Sequence, residues 1–283
     1  MELSFIIVNY HNSSTLVDCL ESIFTTTRGI EFEVIVVDNS PEDEDMKKVE
    51  EKFPQARFLK NAENLGFAVG NNQGFENSRG ETIMFLNPDA VLIEEISLDM
   101  LNHLKAHPDI GILAPKVLDP DGTLQYSCRH FPTVWTGLFN RYSLLSRLFP
   151  HNRFSAHYLM TDFDHNQTRE VDWVSGCCIM ISREKFLQVG KFDENYFLFN
   201  EDIDLCRLIK SFGYPVIYYP HAKVYHYITA SDGKTAPQAI IKRHKGMSYY
   251  FKKHHSENVL TQMMVNAMIS LRCLSQLFLN LFK

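Results

Sequence analysis

Hydrophobic and polar residues alternate in short runs along the first 110 positions. Apolar, β-branched runs at Leu3–Val8 and Val34–Val37 each end in polar residues, which is typical of strands that are buried on both faces. Between these runs, Ser14–Thr26 carries apolar side chains at helical spacing. The pattern therefore predicts a strand–helix–strand unit at the start of the chain.

The same alternation continues towards residue 90. It predicts a helix at Met46–Phe53, a short strand at Arg57–Leu59, a helix at Gly66–Ser78 and a buried strand at Ile83–Leu86. Strands that alternate with helices build an open, mostly parallel sheet, because the crossover helices cover both of its faces. The predicted fold class is therefore α/β.

Beyond about residue 110 the pattern is less regular. The stretch from Arg129 to His157 is aromatic and basic and predicts hairpins and long loops. Regular elements return near residue 170, and Gly213 closes one of the helices. These elements are a strand at Asp172–Ile181, helices at Arg183–Val189 and Asn200–Ser211, and strands at Val216–Tyr219 and Lys223–Tyr225.

The tail from Asn258 to Lys283 is predicted to form an amphipathic C-terminal helix. One face of this helix is polar, which argues against a helix that spans a membrane. The polar face and the basic residues that precede the helix favour shallow contact with an anionic membrane surface. The spacing also fits a heptad seam, so a homodimer or docking onto the chain's own main domain is the alternative. The apolar face holds Leu260, Met264, Ala267, Leu271, Leu274, Phe278 and Leu281, and the polar face holds Gln262, Asn266, Ser270, Gln276 and Asn280.

Composition excludes some classes of protein. A formal net charge of −6 argues against a general nucleic-acid binder, whose phosphate contacts need a basic surface. The six cysteines lack the paired spacing of a zinc site and indicate reduced thiols. The start of the sequence has no basic region before its first apolar run, so we expect no secretory signal and a cytoplasmic location.

Acidic residues at the ends of predicted elements are the candidates for chemistry. Pro88 ends the strand at Ile83–Leu86, which leaves Asp89 just past its carboxyl end, where ligands bind in sheets of this kind. Each candidate also has an ordinary structural interpretation: a turn aspartate, acids that favour a helix N-terminus, or a packing histidine. The other candidates are Asp38 after the second strand, Glu201, Asp202 and Asp204 in the first turn of a helix, and His226 after the last strand.

The order of the motifs resembles the family 2 glycosyltransferases with a GT-A fold, and within them the rhamnosyltransferase-like branch of cell-surface polysaccharide enzymes. The resemblance covers about residues 3–255. It implies a Rossmann-like sheet with helices on both faces, followed by the C-terminal helix at 256–283. In the domain at 1–255, about 1–110 would bind the nucleotide sugar and about 111–255 the acceptor. The motifs are IIVNYHN, VIVVDNS, NLGFAVGNNQG, FLNPDA, VSGCCIMISREKF, VGKFDENYFLFNEDIDLC and VYH.

The resemblance implies a divalent cation, Mg²⁺ or Mn²⁺, at the donor diphosphate. The diphosphate gains negative charge as it leaves, and a bridging metal stabilises that charge. The family's Asp-x-Asp motif is reduced here to Asn87-Pro88-Asp89, so the ligand role falls to Asp89, with Asn87 where another acid often stands. His226 matches a residue that completes the metal shell in several relatives.

The resemblance also assigns residues to donor binding. An ionised Asp38 can accept hydrogen bonds from a pyrimidine N–H or a ribose hydroxyl. Helix capping is the alternative role for the Gly-rich segment. The assigned residues are Asn9, Tyr10 and Asp38 at strand ends, Asn64, Gly66 and Asn72 in NLGFAVGNNQG, and Arg129, which would reach the diphosphate or the acceptor.

For catalysis the resemblance implies direct displacement with inversion, which needs one base rather than the two carboxylates of most glycoside hydrolases. Asp202 matches the family's base, and Glu201 would orient the acceptor or its loop. The implied reaction moves a sugar, with dTDP-rhamnose as a candidate donor, to a saccharide or lipid-linked saccharide. The expected location is the cytoplasm, with peripheral contact at the inner face of the membrane.

Two other classes of protein remain as alternatives. A nucleotidyltransferase would carry a Gly-rich loop with Arg and Lys near residue 10, and NYHNSST has neither feature. A non-catalytic nucleotide-sugar or carbohydrate-binding protein would share the fold. The presence of both Asp89 and Asp202 favours the enzyme.

Overall fold

A computed structural model describes residues 1–133, 153–227, 236–255 and 258–281. Most of the hairpins predicted between Arg129 and His157 lie outside these residues. So does the end of the predicted tail, at residues 282–283.

Strands in the described residues form one large sheet and one small sheet. In chain order they are β1 (Leu3–Asn9), β2 (Phe32–Asp38), β3 (Arg57–Lys60), β4 (Thr82–Leu86), β5 (Ala90–Leu92), β6 (Ile112–Leu118), β7 (Cys128–Arg129), β8 (Arg169–Val171), β9 (Trp173–Val174), β10 (Cys178–Ser182) and β11 (Val216–His226). The large sheet has the order β3-β2-β1-β4-β10-β6-β11-β5, with β8 beside β11. Strands β7 and β9 form the small sheet.

Most strands of the large sheet point the same way. Strands β3, β2, β1 and β4 are mutually parallel, β10 is antiparallel to both β4 and β6, and β11 is parallel to β6. Only β10, β5 and β8 run in the opposite direction within the described sheet. The carboxyl ends of β1, β2, β4, β6 and β11 therefore lie along one edge, as expected for an α/β fold.

Helices cover both faces of the sheet. Successive side chains of β1 enter different cores, since Phe5 and Ile7 pack on one face and Ile6 on the other. The first core includes side chains of α1, α2 and α4, and the second includes side chains of α3 and α6 to α9. The helices are α1 (Ser13–Thr26), α2 (Asp45–Lys52), α3 (Phe67–Glu76), α4 (Ile96–Ala106), α5 (Arg153–Leu159), α6 (Arg183–Gln188), α7 (Glu201–Ser211), α8 (Pro237–His255) and α9 (Val259–Asn280).

The single strand predicted at Asp172–Ile181 is wrong, because β9 and β10 belong to different sheets. The break falls at residues 175–177, whose backbone groups bond elsewhere. Ser175 donates to the Ser127 carbonyl at 2.7 Å, and Gly176 donates to the Asp202 carboxylate at 3.1 Å. These groups cannot also join a continuous ladder.

Two further differences concern the last third of the chain. The predicted strands at Val216–Tyr219 and Lys223–Tyr225 are one strand, β11, whose register against β6 shifts between Tyr219 and Lys223. Pro220 lies inside that shift, and a proline cannot donate to a sheet ladder. The C-terminal helix forms as predicted, and none of the described helices is long and apolar enough to cross a membrane.

Candidate functional site

The ends of β1 and β2 hold a fixed carboxylate. Asn9 donates from Nδ2 to Asp38 Oδ1 at 3.1 Å, and the Ser40 backbone N–H donates to the same oxygen at 3.0 Å. Both side chains are buried. Tyr10, the next residue along, is 48% exposed and its ring contacts His11. The edge of the sheet therefore presents an oriented acid beside an exposed aromatic ring.

A turn before α3 connects this edge to the second half of the chain. Asn64 Oδ1 accepts from the Gly66 backbone N–H at 2.9 Å, and Asn39 donates to the Gly66 carbonyl at 3.2 Å. Gly66 has a φ of +93°, and a Cβ there would lie 2.5 Å from the carbonyl oxygen of Phe197. Only glycine fits both the backbone conformation and the contact.

The hydrogen-bond partners of Asn72 are not at these strand ends. Its side-chain amide donates to the Phe192 carbonyl and to Glu194, both at 2.9 Å, and its oxygen accepts from the Phe192 N–H at 3.2 Å. The side chain is buried. In this structure it therefore holds the loop at 192–194 against α3.

Asp89 and His226 meet because of the sheet register. Ala90 at the start of β5 pairs with His226 at the end of β11, and the Tyr227 N–H donates to the Asp89 carbonyl at 2.8 Å. His226 Nε2 lies 3.2 Å from Asp89 Oδ1, with the side chains 16% and 15% exposed. Asn87 Nδ2 lies 3.4 Å from the same nitrogen. We call Asn87, Asp89 and His226 the acid–histidine corner.

Gln125 orients the imidazole of this corner. Its Nε2 donates to Asp119 Oδ1 and to the His226 carbonyl, both at 2.7 Å, so its Oε1 faces His226 Nδ1 at 3.0 Å. In the neutral ring, Nδ1 then carries the proton and Nε2 keeps its lone pair. That lone pair faces a carboxylate oxygen, an arrangement that is stabilised when a cation or a proton lies between them.

The donor set of the corner fits a divalent metal that a substrate completes. Asp89 Oδ1 and Asn87 Oδ1 are buried and accept no hydrogen bond from the described residues. The described part of the chain contains no group of three or more His, Cys, Asp or Glu side chains arranged to hold a metal. Mg²⁺ is often held by one or two carboxylates together with substrate phosphates.

A pair of adjacent acids lies at the N-terminus of α7. The helix is entered through two consecutive left-handed residues, Phe199 with φ +68° and Asn200 with φ +75°. Each such residue costs about 1–3 kcal/mol and is typical of functional sites. Asp202 accepts from the Ile203 N–H at 2.8 Å and from the Gly176 N–H at 3.1 Å. We call Glu201 and Asp202 the helix-end corner.

The surroundings raise the pKa of both acids of the helix-end corner, and that of Glu201 further. Burial raises the pKa of Asp202, while the hydrogen bonds from Gly176 and Ile203 and the charge of Arg129 lower it. Burial, followed by the charge of Asp202, raises the pKa of Glu201 well above its usual range, and Glu201 Oε2 is buried without a partner among the described residues. The pair therefore favours a proton on Glu201 and the negative charge on Asp202.

Two consecutive residues connect the corners. The Gly176 N–H donates to Asp202, and the Cys177 carbonyl accepts from the Asn87 N–H at 2.8 Å. A Cβ on Gly176 would lie 3.3 Å from the Asp202 Cβ, so the approach is close. Arg129 stacks over Trp173 at 5.1 Å and acts electrostatically on Asp202. The structure thus places Asn87, Asp89, His226, Glu201, Asp202 and Arg129 around one short segment.

Helix α8 packs against α7, the helix that carries the helix-end corner. Asp204 is 1% exposed and accepts from Lys253 Nζ at 2.9 Å and from His254 Nε2 at 2.6 Å. Asn200 donates to the Arg243 carbonyl at 3.3 Å. The C-terminal part of the chain therefore fixes the helix that carries the acids.

Sequence reasoning missed the residues that orient the site. Gln125 gives no sign of this role in the sequence, because His226 lies 101 residues away at the end of β11, although Asp119 is in the turn just before it. Gly176 and Cys177 lie within the VSGCC motif, but their hydrogen bonds depend on the break between β9 and β10.

Comparison with known sequences gives one family and several relatives. The model of the family described as "Glycosyl transferase family 2" matches residues 4–190. An N-acetylglucosaminyl-diphospho-decaprenol L-rhamnosyltransferase of Mycobacterium tuberculosis is 29% identical over 235 residues, covering 79% of this chain and 75% of the relative. Rhamnosyltransferase WbbL of Escherichia coli K12 is 24% identical over 170 residues, covering 57% of this chain and 61% of WbbL.

Solved structures are similar in fold at low sequence identity. GalNAc-T7 with UDP, GalNAc and Mn²⁺ has a TM-score of 0.65 at 15% identity, and the match covers 91% of this chain and 48% of GalNAc-T7. Residues 1–349 of Staphylococcus aureus TarS give a TM-score of 0.56 at 15% identity, with coverages of 97% and 72%. These similarities confirm the predicted fold class.

Proposed function

Because the chain belongs to glycosyl transferase family 2, we propose that it is an inverting glycosyltransferase of cell-surface polysaccharide synthesis. It moves a sugar from a nucleotide-diphosphate donor to a glycan or lipid-linked saccharide. The observation that carries the proposal is the segment Gly176–Cys177, which bonds to Asp202 on one side and to Asn87 on the other. The proposed base, Asp202, and the corner proposed for the diphosphate are therefore connected through one short segment.

The donor binds along the carboxyl edge of the sheet, in the half at about 1–110. Asp38, held by Asn9, accepts from the base or ribose, and Tyr10 offers a ring for stacking. Gly66 lets the backbone approach closely, with Asn64 fixing its turn. Asn72, also assigned to donor binding from the sequence, acts indirectly by holding the loop at 192–194.

Asp89 and His226 would hold Mg²⁺ or Mn²⁺, with Asn87 beside them and Gln125 setting the ring. When bound, this metal would neutralise the charge that grows on the leaving diphosphate. The support on this chain is Asp89 Oδ1, which is buried, accepts no hydrogen bond from the described residues and lies 3.2 Å from His226 Nε2. A protein of similar fold, GalNAc-T7, has a crystal structure with UDP and Mn²⁺.

Asp202 acts as the base. It accepts the proton of the acceptor hydroxyl as that oxygen attacks the anomeric carbon from the face opposite the diphosphate, which inverts the centre. Glu201 has the higher pKa and holds a proton more readily, so the negative charge stays on Asp202. Glu201 then orients the acceptor or its loop. Arg129 is assigned to contact with the diphosphate or the acceptor, and its charge also lowers the pKa of Asp202.

The similarity to rhamnosyltransferases supports dTDP-rhamnose as the donor. The name of the mycobacterial relative contains N-acetylglucosaminyl-diphospho-decaprenol, which supports a lipid-linked acceptor bound by the half at about 111–255. An acceptor of this kind lies at the membrane surface. The proposed location is therefore the inner face of the cytoplasmic membrane.

A direct test combines donor binding with transfer. The purified chain is screened by thermal shift with dTDP-rhamnose, UDP-galactose and UDP-N-acetylglucosamine in Mn²⁺, and then assayed on a polyprenyl-diphosphate-linked N-acetylglucosamine with and without EDTA. We expect one donor to stabilise the chain, transfer that EDTA abolishes, and a product of inverted anomeric configuration by NMR. Donor binding without transfer or donor hydrolysis would instead favour a non-catalytic binding protein.

A further inference from the structure

The C-terminal helix α9 leaves an apolar face exposed, in addition to the apolar side chains that it buries. Five apolar side chains at spacings of three, four or seven along one face are 59–74% exposed, namely Leu260, Met264, Leu271, Leu274 and Leu281. Ala267, on the same face, is exposed as well. In a water-soluble helix this face would pack against the core. We call these six residues the apolar stripe.

The face that packs on α8 includes polar side chains. Asn266 Oδ1 accepts from Ser248 of α8 at 2.6 Å and from Gln262 at 3.1 Å. Arg272 Nη1 lies 3.6 Å from Met247 Sδ. Val265 and Ile269 are the buried apolar residues of α9. The polar contacts fix the orientation of the helix, so the exposure of the apolar stripe follows from specific pairing with α8.

The two helices are also basic, unlike the rest of the chain. Residues 237–283 contain seven Lys or Arg and one acid, Glu257, which gives a formal charge of +6. The whole chain carries −6, so the remainder carries −12. Such a segregation of charge is typical of a surface that meets an anionic partner.

Part of this charge lies next to α9. Ile241, Lys245 and Lys252 are exposed on α8, and Ser248 lies between the two lysines at helical spacing. Since Ser248 bonds to Asn266, this ridge of α8 adjoins α9. Lysines that flank an exposed apolar face are the arrangement of helices that lie in a membrane interface.

We propose that the apolar stripe of α9 and the adjoining ridge of α8 dock on an anionic lipid surface, with α9 lying in the plane of the interface. A stripe from residue 260 to residue 281 spans about 30 Å at 1.5 Å per residue. A second copy of the chain would bring two segments of the same positive charge together, whereas anionic headgroups neutralise them. The inference stands apart from the proposed reaction, because it rests on packing and charge.

The test uses flotation of the full chain with vesicles of phosphatidylglycerol and phosphatidylcholine and with vesicles of phosphatidylcholine alone. We expect flotation with the anionic vesicles, weakened by high salt. Leu271→Glu with Leu274→Glu should lower it at least tenfold, and Lys245→Glu with Lys252→Glu should lower it at low salt. Leu187→Glu is the matched control, since Leu187 is a 52% exposed leucine on α6 and should leave flotation unchanged.

Circular dichroism and urea unfolding establish that each variant is folded. Flotation of the double-glutamate variant at the parental level, or no flotation of the parent, would overturn the proposal. A parent dimer in light scattering that this variant converts to a monomer, without flotation of the parent, would assign the stripe to a second copy. Transfer to a short water-soluble acceptor is independent of docking, so its loss would count against the proposed function alone.

Discussion

The acid–histidine corner and the helix-end corner present similar side chains but are built differently. The first is set by the main sheet, since Asn87 and Asp89 follow β4 and His226 ends β11. The second lies on a helix entered through Phe199 and Asn200 in left-handed conformation. The geometry of the acid–histidine corner is therefore set by strand register, whereas that of the helix-end corner depends on the contacts that hold the start of α7.

Those contacts come from far along the chain. Asp204, three residues into α7, meets Lys253 and His254 of α8. The same α8 adjoins the apolar stripe of α9. The comparison predicts that the position of Asp202, the proposed base, depends on the C-terminal helices more strongly than donor binding does, although α8 also holds the loop at 192–194 through Lys253 and Asp193. The following predictions test that difference.

The largest expected effect is on chemistry at the helix-end corner. Asp202→Asn removes the base but keeps its size and most of its hydrogen bonding. Removal of a general base typically costs about 10²–10⁴-fold in rate. We expect kcat to fall by this amount while donor affinity, measured by calorimetry, stays within a few-fold. Transfer close to the parental rate would exclude Asp202 as the base.

The second prediction compares the corners through the free energy of unfolding. Asp204→Asn removes a buried charge that faces Lys253 and His254, and breaking such a pair costs about 3–5 kcal/mol. The control is Glu170→Gln, which removes an exposed partner of Lys210 and should cost less than about 1 kcal/mol. Both are measured by urea unfolding. We also expect acceptor KM to rise while donor affinity stays unchanged, and a matching loss of donor affinity would refute the independence of the corners.

The acids of both corners were predictable from local sequence, but their surroundings were not. A buried run that stops at Pro88 places Asp89 beyond a strand, because proline ends the ladder within a few residues. The meeting of Asp89 with His226 depends on the pairing of β5 with β11, which brings together positions 137 residues apart (226 − 89). Local periodicity carries no information about such register.

Two failures of sequence reasoning have the same origin. Asp172–Ile181 is apolar enough for one strand, yet residues 175–177 bond to distant groups and divide it. Helix α8 was not predicted, because its buried face includes His244 and Gly246 among the apolar residues Ile240, Tyr250 and Phe251. In both cases tertiary contacts override the local pattern.

A smaller effect is expected at the acid–histidine corner. Asp89→Asn keeps the shape of the side chain but removes the charge facing His226. We expect Mn²⁺-dependent donor binding to weaken by at least about 10-fold, the lower limit for loss of a group that merely supports a metal ligand, with little change in metal-free nucleotide binding. Asp164→Asn, at an exposed loop acid, is the control. Equal Mn²⁺ dependence in Asp89→Asn and the parent would remove Asp89 from the metal site.

The smallest expected effect is a displacement of the pH profile by Arg129→Gln. The base must be ionised, so kcat falls as the pH drops through the pKa of Asp202, which burial raises above its ordinary value. The charge of Arg129 lowers that pKa. Without it, the pKa rises and the acid limb moves to higher pH, so activity is lost more strongly on the acidic side than on the alkaline side.

Arg169→Gln is the matched control for this displacement, since Arg169 also stacks on an aromatic ring, that of Phe163, but is not among the groups that shift the pKa of Asp202. A general loss of donor binding by Arg129→Gln would lower kcat/KM at every pH and leave the limb of kcat in place. Displacement of that limb only in Arg129→Gln therefore identifies Arg129 as the residue that keeps the base ionised. If the acid limb of the kcat profile does not move in Arg129→Gln, Arg129 has a role in binding alone. The ionisation of Asp202 would then depend on the hydrogen bonds from Gly176 and Ile203.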